Sequence, residues 1–467
     1  LPIETHLLQA CVSEPVKPIL DKEIKCIIIT GKGEKAFVAG ADIKEFAKYS
    51  KEEGKKSLPD FSSIYEHDID AAILSHAHLD HSGSMPVVQR HYPEMPVMMT
   101  EATSALGQAL LHNSVNVMTS KRNELGMDEY PFFTHKEIHK ISKQWCARKP
   151  GRSFDLDDQG EVNCTLYEAG HVLGAIGALI ECKGRRIFYT GDVHFEDQSI
   201  IKGADFPTDD IDTLILECTR GSSPRPYEYS RKSEAERLAH SIEHCLDGGG
   251  SVMIPLFAMG KTQETVTMLY ELQKERKLRR LSFLIGGLSI KMTKIYDRFS
   301  SSVRRNHQGM KLMREKGLLS TPNARGQIPQ ITQGNVYTLS SGMMTEKTLS
   351  NRLGRQFINN PRNLVASVGY ADPDSPLAKV LGSEEDESIQ IDSNYDPVKR
   401  RCSVESFDFS GHSPREDLLD YAQKVCPSKI VLVHGDQPSI EWMGERIEER
   451  LPQTEVIVPE PSQEIEI

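Results

Sequence analysis

The stretch of sequence best suited to chemistry is SHAHLDHSG, which places three histidines and one aspartate within six positions. Neutral imidazole and carboxylate groups are good ligands for zinc and similar ions. His76 and His78 alternate and are therefore expected to face one side, whereas Asp80 and His81 turn toward a second position. A short apolar run precedes them, so the four side chains follow a predicted strand. The pattern predicts a metal site rather than a chance surface cluster.

The spacing H-x-H-x-D-H is the signature of the metallo-β-lactamase superfamily, which this sequence resembles closely. Two later segments resemble the next motifs of that superfamily, in the expected order. GHVLGA contains His171 and YTGD contains Asp192. The resemblance implies that His171 is a further ligand and that Asp192 bridges two metal ions. Taken alone, either residue would more often be an ordinary polar side chain.

The last expected ligand lies far along the chain, and the best candidate is His434 in IVLVHGD. The long gap after Asp192 fits an inserted domain, which is the arrangement of the β-CASP branch of the superfamily. LILECT, with Glu217, resembles motif A of that branch, and FDFSGHS, with His412, resembles motif B. His434 would itself be motif C. SVMIPLFAMGKTQE and SSGM resemble segments of the inserted domain, so the resemblance covers roughly residues 58–460.

The resemblance also implies a role for each site residue. One ion would be held by His76, His78 and His171, and the other by Asp80, His81 and His434, with Asp192 as the bridge. This implies two Zn²⁺ ions per chain. The predicted catalytic residues are Asp80, His412 and Glu217. His412 would protonate the leaving 3′-oxygen, a task that suits a group titrating near pH 6.5. Glu217 would orient a ligand histidine. The alternative for His412 is a structural role as the cap of a helix beginning near Pro414.

Motif C indicates the substrate. RNA-processing members of the branch have histidine there, whereas the DNA-repair group usually has valine, so the resemblance implies a ribonuclease with endo- and/or exonuclease action on an RNA partner. The net charge of -11 argues against broad, non-specific coating of nucleic acid but permits a local basic groove. The basic stretch KERKLRR at residues 274–280 either contacts RNA or is a solvated helix face.

The alternatives to a ribonuclease are a small-molecule metallohydrolase of the lactamase or glyoxalase type, an inactive RNA-processing scaffold, and an acyl-CoA enzyme.

The N-terminus differs from the rest of the chain. Residues 25–46, KCIIITGKGEKAFVAGADIKEF, resemble the oxyanion-loop segment of crotonase-fold enoyl-CoA hydratases, in which the amide of Ala41 would be half of an oxyanion hole. The remaining catalytic groups of that family have no counterpart in the sequence. We therefore predict a crotonase-like fragment with incomplete chemistry.

The elements that must position these residues alternate between strands and helices. Predicted strands include residues 164–168, 186–190, 213–217, 403–409 and 429–433, and residues 111–149 are predicted to be helical. The expected fold is α/β, a metallo-β-lactamase αββα sandwich with an inserted α/β β-CASP domain, preceded by a partial crotonase-like segment. The predicted domains are residues 1–55, 56–220, 221–400 and 401–467.

Scattered cysteines and the lack of a long apolar run predict a cytoplasmic protein without a membrane partner, and a homodimer is a further prediction.

Overall fold

The computed structural model describes residues 4–8, 27–29, 69–125, 130–157, 160–322, 330–459 and 465–466. The predicted crotonase-like segment, including Ala41, therefore lies outside the described residues apart from two short strands. The chain divides into two compact units. The first unit comprises Leu1–Glu196, Gly203–Arg225 and His412–Ile467, and the second comprises Asp197–Lys202 and Pro226–Gly411.

The first unit contains a seven-stranded sheet. Two of its interior strands, Thr213–Glu217 and Lys429–Val433, are parallel and consist mostly of buried aliphatic residues, as expected of strands covered on both faces. In spatial order the strands are Glu455–Ile457, Lys429–Val433, Thr213–Glu217, Arg185–Tyr189, Ile176–Cys182, Val162–Glu168 and Ser153–Asp155.

Two smaller sheets and six helices complete the described part of the first unit. Ala72–Ile73, Val97–Met99 and Trp145–Ala147 form a parallel sheet, and Ile27–Ile29, Glu4–Leu8 and Ile465–Glu466 form another three-stranded sheet. The helices are Leu79–Ser82, Met85–His91, Glu101–Leu125, His135–Ile141, Arg415–Val425 and Gln437–Arg450, and a short 3₁₀ turn covers Ser142–Gln144.

The alternation of side chains along Thr213–Glu217 explains how the sheet is covered on both faces. Leu214 and Leu216 point to one face, where they belong to a core that includes residues of the helices Arg415–Val425 and Gln437–Arg450. Ile215 points to the other face, into a core against which Ile73 of the smaller parallel sheet packs. The strand is thus buried on both faces, and its polar side chains lie at its two ends.

The second unit is also α/β, built on a six-stranded sheet whose pairings are all parallel. In spatial order the strands are Leu319–Ser320, Phe283–Leu284, Val336–Leu339, Val252–Pro255, Leu364–Ser367 and Ser403–Ser406. Ser388–Ile389 and Val398–Lys399 form an antiparallel pair. The helices are Arg231–Asp247, Lys261–Lys274, Leu288–Arg298, Leu349–Phe357 and Pro376–Gly382, with a 3₁₀ turn at Leu312–Arg314.

The α/β class predicted from the sequence is confirmed, but several elements differ from the prediction. Residues 111–149 are not one helical region, because the helix Glu101–Leu125 begins earlier and a strand, Trp145–Ala147, ends the segment. The predicted strand at 403–409 is shorter, Ser403–Ser406, and pairs within the sheet of the second unit. Among the described residues, no helix is long and apolar enough to cross a membrane.

Two of the five cations in the basic stretch at residues 274–280 are paired with acidic side chains of their own unit. Lys277 Nζ lies 2.9 Å from Glu236 Oε1, and Arg279 forms ion pairs with Glu243 and Asp247. These partners lie on the helix Arg231–Asp247. The predicted helix face is wrong for most of this stretch, because the helix Lys261–Lys274 ends at its first residue. The pairing leaves fewer of its cations free to contact RNA.

Candidate metal centre

Five strands of the seven-stranded sheet run in the same direction, and predicted site residues lie at the carboxyl ends of four of them. Thr213–Glu217 is parallel to both Arg185–Tyr189 and Lys429–Val433. Val162–Glu168 has the same direction, because two antiparallel pairings separate it from Arg185–Tyr189. The carboxyl ends of such strands meet, so loops that follow them are held together by a rigid sheet. The predicted residues at these ends are His171, Asp192, Glu217 and His434.

The remaining predicted ligands come from the smaller parallel sheet. The strand Ala72–Ile73 leads to His76, and the short helix Leu79–Ser82 carries Asp80 and His81. A backbone hydrogen bond of 2.9 Å, from Ile176 N to Ser75 O, joins this loop to the seven-stranded sheet.

Two glycines permit the close approach of these loops. Gly170 has φ +70°, and a Cβ there would lie 2.2 Å from the carbonyl oxygen of His194. Gly191 has φ +55°, and its Cβ would lie 3.0 Å from the Cβ of Ser75. Both values fall in the left-handed region, which glycine adopts without steric cost. The glycine that precedes His171 and the one that precedes Asp192 are therefore required by the backbone.

The first group of potential ligands contains three histidines and one carboxylate oxygen. His78 Nδ1 lies 3.0 Å from His76 Nε2 and 3.1 Å from His171 Nε2. Asp192 Oδ2 lies 3.5 Å from His76 Nε2 and 3.6 Å from His171 Nε2. Ligands at 2.0–2.2 Å from a tetrahedral zinc are about 3.3–3.6 Å apart. The group therefore has roughly the dimensions of a zinc site.

The second group uses the other oxygen of Asp192. His81 Nε2 lies 3.4 Å from Asp192 Oδ1 and 3.2 Å from His434 Nε2. Asp80 Oδ2 lies 3.6 Å from both His81 Nε2 and His434 Nε2. The structure thus brings all seven predicted ligands together, in two groups that share Asp192.

Asp192 supplies the clearest indication that a cation belongs here. Its Oδ1 atom is buried and accepts no hydrogen bond from any described residue. A buried carboxylate oxygen without a partner is costly unless a charge or a donor satisfies it. The surrounding imidazoles and the second carboxylate offer lone pairs to the same space, so these residues fit a bound metal ion.

The environment sets the protonation of the ligand groups. Burial lowers the pKa of His76 well below its usual value and that of His78 to about 4. Burial acts to raise the pKa of the Asp80 and Asp192 carboxyls, but neighbouring histidines outweigh it and the pKa of each is lowered. These groups are therefore present as neutral imidazoles and carboxylates, the forms that bind metal.

His412 lies beside both groups without belonging to either. Its ring centroid is 4.5 Å from that of His171 and 6.0 Å from that of His434. Its Nδ1 is 3.0 Å from Glu217 Oε1, and its Nε2 is 4.0 Å from Asp192 Oδ2. Burial lowers the pKa of His412, but the Glu217 carboxylate outweighs burial and the net pKa is raised.

Two expectations about this region need correction. We predicted that Glu217 orients a ligand histidine, but its histidine partner is His412, outside the predicted ligand set. The buried Glu217 carboxylate also accepts hydrogen bonds from the backbone amides of Val193 and Thr219. The alternative in which His412 caps a helix is wrong, because the helix Arg415–Val425 has Pro414 at its N-cap and no side-chain cap bond.

Sequence reasoning missed two side chains that contact the ligands. Thr219 Oγ1 lies 2.9 Å from His434 Nδ1, and Ser75 Oγ lies 3.2 Å from His76 Nδ1. Ser75 directly precedes a ligand, and Thr219 stands two residues after Glu217 at a strand end. Their proximity to the motifs was the only available signal, because hydroxyl residues are common at strand ends and in loops.

Comparison with known families matches three models to consecutive parts of the chain. Residues 55–227 match a β-lactamase superfamily domain, and residues 262–379 match a Beta-Casp domain. Residues 397–459 match the RNA specificity domain of zinc-dependent metallo-hydrolases. The matched models are those of a β-lactamase superfamily domain, a Beta-Casp domain and the RNA specificity domain of a metallo-hydrolase, and together they support a hydrolase. The predicted crotonase-like segment lies before the matched ranges.

Individual relatives are similar along most of this chain. "Probable RNase MJ4" of Methanocaldococcus jannaschii is 27% identical over 379 residues, covering 79% of this chain and 82% of the relative. "Cleavage and polyadenylation specificity factor subunit 3" of Dictyostelium discoideum is 27% identical over 447 residues, covering 93% of this chain but 54% of the relative. The chain therefore spans about half the length of that eukaryotic relative.

A solved structure shares the fold. It is a crystal structure of a protein of unknown function from Enterococcus faecalis V583, with a TM-score of 0.53 and 15% sequence identity. The similarity covers 94% of this chain and 97% of that one.

Proposed function

We propose that this protein is a metal-dependent ribonuclease that hydrolyses RNA phosphodiester bonds at a dinuclear zinc site. The observation that carries the proposal is the pair of ligand groups sharing Asp192, with His412 beside them. The RNA specificity of the matched C-terminal model and the ribonuclease names of relatives support RNA as the substrate. The cytoplasmic location, the homodimer and the crotonase-like segment remain predictions.

The two ligand groups would each hold one ion. One ion would be held by His76, His78 and His171, and the other by Asp80, His81 and His434. Asp192 belongs to both groups. When bound, two zinc ions would supply a hydroxide nucleophile near neutral pH and neutralise phosphate charge. The protein contributes the fixed spacing of the lone pairs, which the strand ends and the two glycines maintain.

His412 is placed to act on the leaving group. Its Nδ1 is engaged with Glu217, so Nε2, the nitrogen nearer to Asp192, is the atom that would carry the transferable proton. The Glu217 carboxylate raises the pKa of His412 and so favours the protonated ring that a general acid requires. A strongly basic leaving 3′-oxygen requires such a donor.

The test compares two nucleic acids of the same sequence. Protein treated with chelator and reconstituted with zinc is incubated with labelled single-stranded RNA or DNA, and Asp192→Asn is the inactive control. We expect about two zinc equivalents per chain and cleavage of RNA at a much higher rate than DNA. Absence of bound zinc after reconstitution would overturn the metal site, and equal rates on both nucleic acids would overturn RNA specificity.

A further inference from the structure

The hydroxyl of Thr219 contacts His434 at two atoms. Thr219 Oγ1 lies 2.9 Å from the ring nitrogen Nδ1 and 3.1 Å from the backbone oxygen of the same histidine. A threonine hydroxyl has one hydrogen to donate and two lone pairs that accept. The carbonyl oxygen can only accept, so the hydroxyl donates to it. The short contact with Nδ1 is then a hydrogen bond only if Nδ1 carries a hydrogen and donates it.

The other nitrogen of the ring faces the second ligand group. His434 Nε2 lies 3.2 Å from His81 Nε2 and 3.6 Å from Asp80 Oδ2. Nδ1 has another acceptor nearby, Asp192 Oδ1, but at 3.6 Å this contact is too long for a hydrogen bond. The hydroxyl is therefore the partner of Nδ1, and Nε2 is the nitrogen directed toward the ligand group.

Thr219 is itself fixed by the residue that holds His412. The amide of Thr219 donates to Glu217 Oε2 at 3.1 Å, while Glu217 Oε1 accepts from His412 Nδ1. Glu217 and Thr219 thus stand at the end of one strand, and each holds one of the two histidines supplied by the C-terminal part of the chain.

We propose that Thr219 is a positioning residue for the metal centre, which fixes His434 as the tautomer with hydrogen on Nδ1 and a free lone pair on Nε2. The opposite tautomer would direct an N–H group at Asp80 and His81 and could not bind a cation through Nε2. Histidines that bind metals generally donate their second nitrogen to an acceptor, and loss of that acceptor commonly weakens metal binding. This inference rests on the proposed dinuclear metal site.

The experiment measures zinc affinity by competition with a chromophoric chelator, so that it does not depend on activity. Thr219→Val preserves the shape of the side chain but removes the hydroxyl, and we expect one of the two zinc equivalents to bind about 10–100-fold more weakly. Thr219→Ser retains the hydroxyl and should bind both equivalents nearly as the unmodified protein does. Thr454→Val is the matched control, because Thr454 is also half-buried in the first unit and donates to a backbone carbonyl.

A double-mutant cycle distinguishes a loss of zinc affinity that acts through His434 from a loss caused by general destabilisation of the protein. If Thr219 acts through His434, Thr219→Val should add no further loss of zinc affinity in a His434→Ala background. Unchanged zinc affinity in Thr219→Val, or an equal loss in both backgrounds, would overturn the proposal. Should Thr219→Val not fold, Thr219→Ser and Thr219→Ala give the same comparison. A failure of the proposed function is distinguishable, since it would appear in the unmodified protein, which would bind zinc without cleaving RNA or would bind no zinc.

Discussion

His412 and His434 are the same residue type in one site, yet their surroundings direct them to different tasks. Glu217, which lies outside the ligand set, holds Nδ1 of His412. The neutral hydroxyl of Thr219 holds Nδ1 of His434. A carboxylate partner favours the imidazolium form, whereas a hydroxyl partner orients the ring without adding charge. The difference suits a proton donor in one case and a ligand in the other.

The pKa values show why the distinction depends on a bound cation. Burial lowers the pKa of His434, but the Asp192 and Asp80 carboxylates outweigh it and raise the pKa to about 10. Those two carboxylates belong to the ligand groups, so a metal ion would take over the role of the proton they attract. Glu217 is not in either group, so its carboxylate stays available to His412 when ions are bound. We therefore expect His434 to exchange a proton for a metal, whereas Glu217 favours the protonated form of His412.

The largest expected effect comes from removing each ring. His412→Ala should keep about two zinc equivalents and lower RNA cleavage about 10²–10⁴-fold, the usual contribution of a general acid. His434→Ala should lose affinity for one ion as well as activity. Elemental analysis and cleavage rates are measured side by side. Near-normal cleavage by His412→Ala would contradict the acid role, and loss of zinc from that variant would move His412 into the ligand set.

The sequence predicted the site better than it predicted the elements that carry it. The H-x-H-x-D-H spacing indicated the first four candidate ligands, because imidazole and carboxylate groups so closely spaced are rare outside metal sites. The resemblance to the superfamily supplied His171, Asp192 and His434, which the structure places beside the first four. The partner of Glu217 was predicted wrongly, because Glu217 and His412 are 195 positions apart and only the strand register brings them together. Thr219 was overlooked because its role depends on one hydrogen-bond geometry.

The limits of strands were predicted correctly where the local sequence pattern determines them and wrongly where tertiary contacts do. The buried strands Thr213–Glu217 and Lys429–Val433 match their predicted limits, because each is a short apolar run that ends at a polar residue. The edge strand Trp145–Ala147 was predicted as helix, since its half-exposed sequence gives no period-2 signal and pairing with Val97–Met99 decides its conformation.

A smaller effect is expected from neutralising the partner of His412. His412 is protonated below its pKa and loses the proton as the pH rises through it, so activity that needs this acid falls on the alkaline side. Glu217→Gln removes the charge that raises the pKa of His412. The alkaline limb of the pH–rate profile should therefore move to lower pH. An unmoved limb would separate Glu217 from the acid function.

Glu264→Gln provides a matched control for that measurement. Glu264 is also a buried carboxylate that accepts two backbone hydrogen bonds, from Ser199 and Ile200, but it lies in the second unit. We expect its substitution to leave the position of the alkaline limb unchanged. A shift of the same size in both variants would indicate a general effect of losing a buried charge.

The smallest effect concerns the backbone of the two histidines. His434 has φ +53°, in the left-handed region, whereas His412 is not among the residues with positive φ. Asparagine adopts this conformation more readily than most residues, and a β-branched side chain is strongly disfavoured there. At position 434, valine should therefore lower the free energy of unfolding more than asparagine does. This difference between the two variants should exceed the corresponding difference at position 412 by about 1–2 kcal/mol.

This comparison cancels what the two substitutions have in common. All four variants lack the imidazole ring. At both positions the valine and asparagine variants differ by the same change in side-chain polarity. Free energies of unfolding are measured in urea with a chelator present, so that metal binding does not contribute. An excess penalty at position 434 would show that its backbone conformation restricts which residues can serve there, independently of the metal. Equal differences at the two positions would mean that His434 is selected for its ring alone.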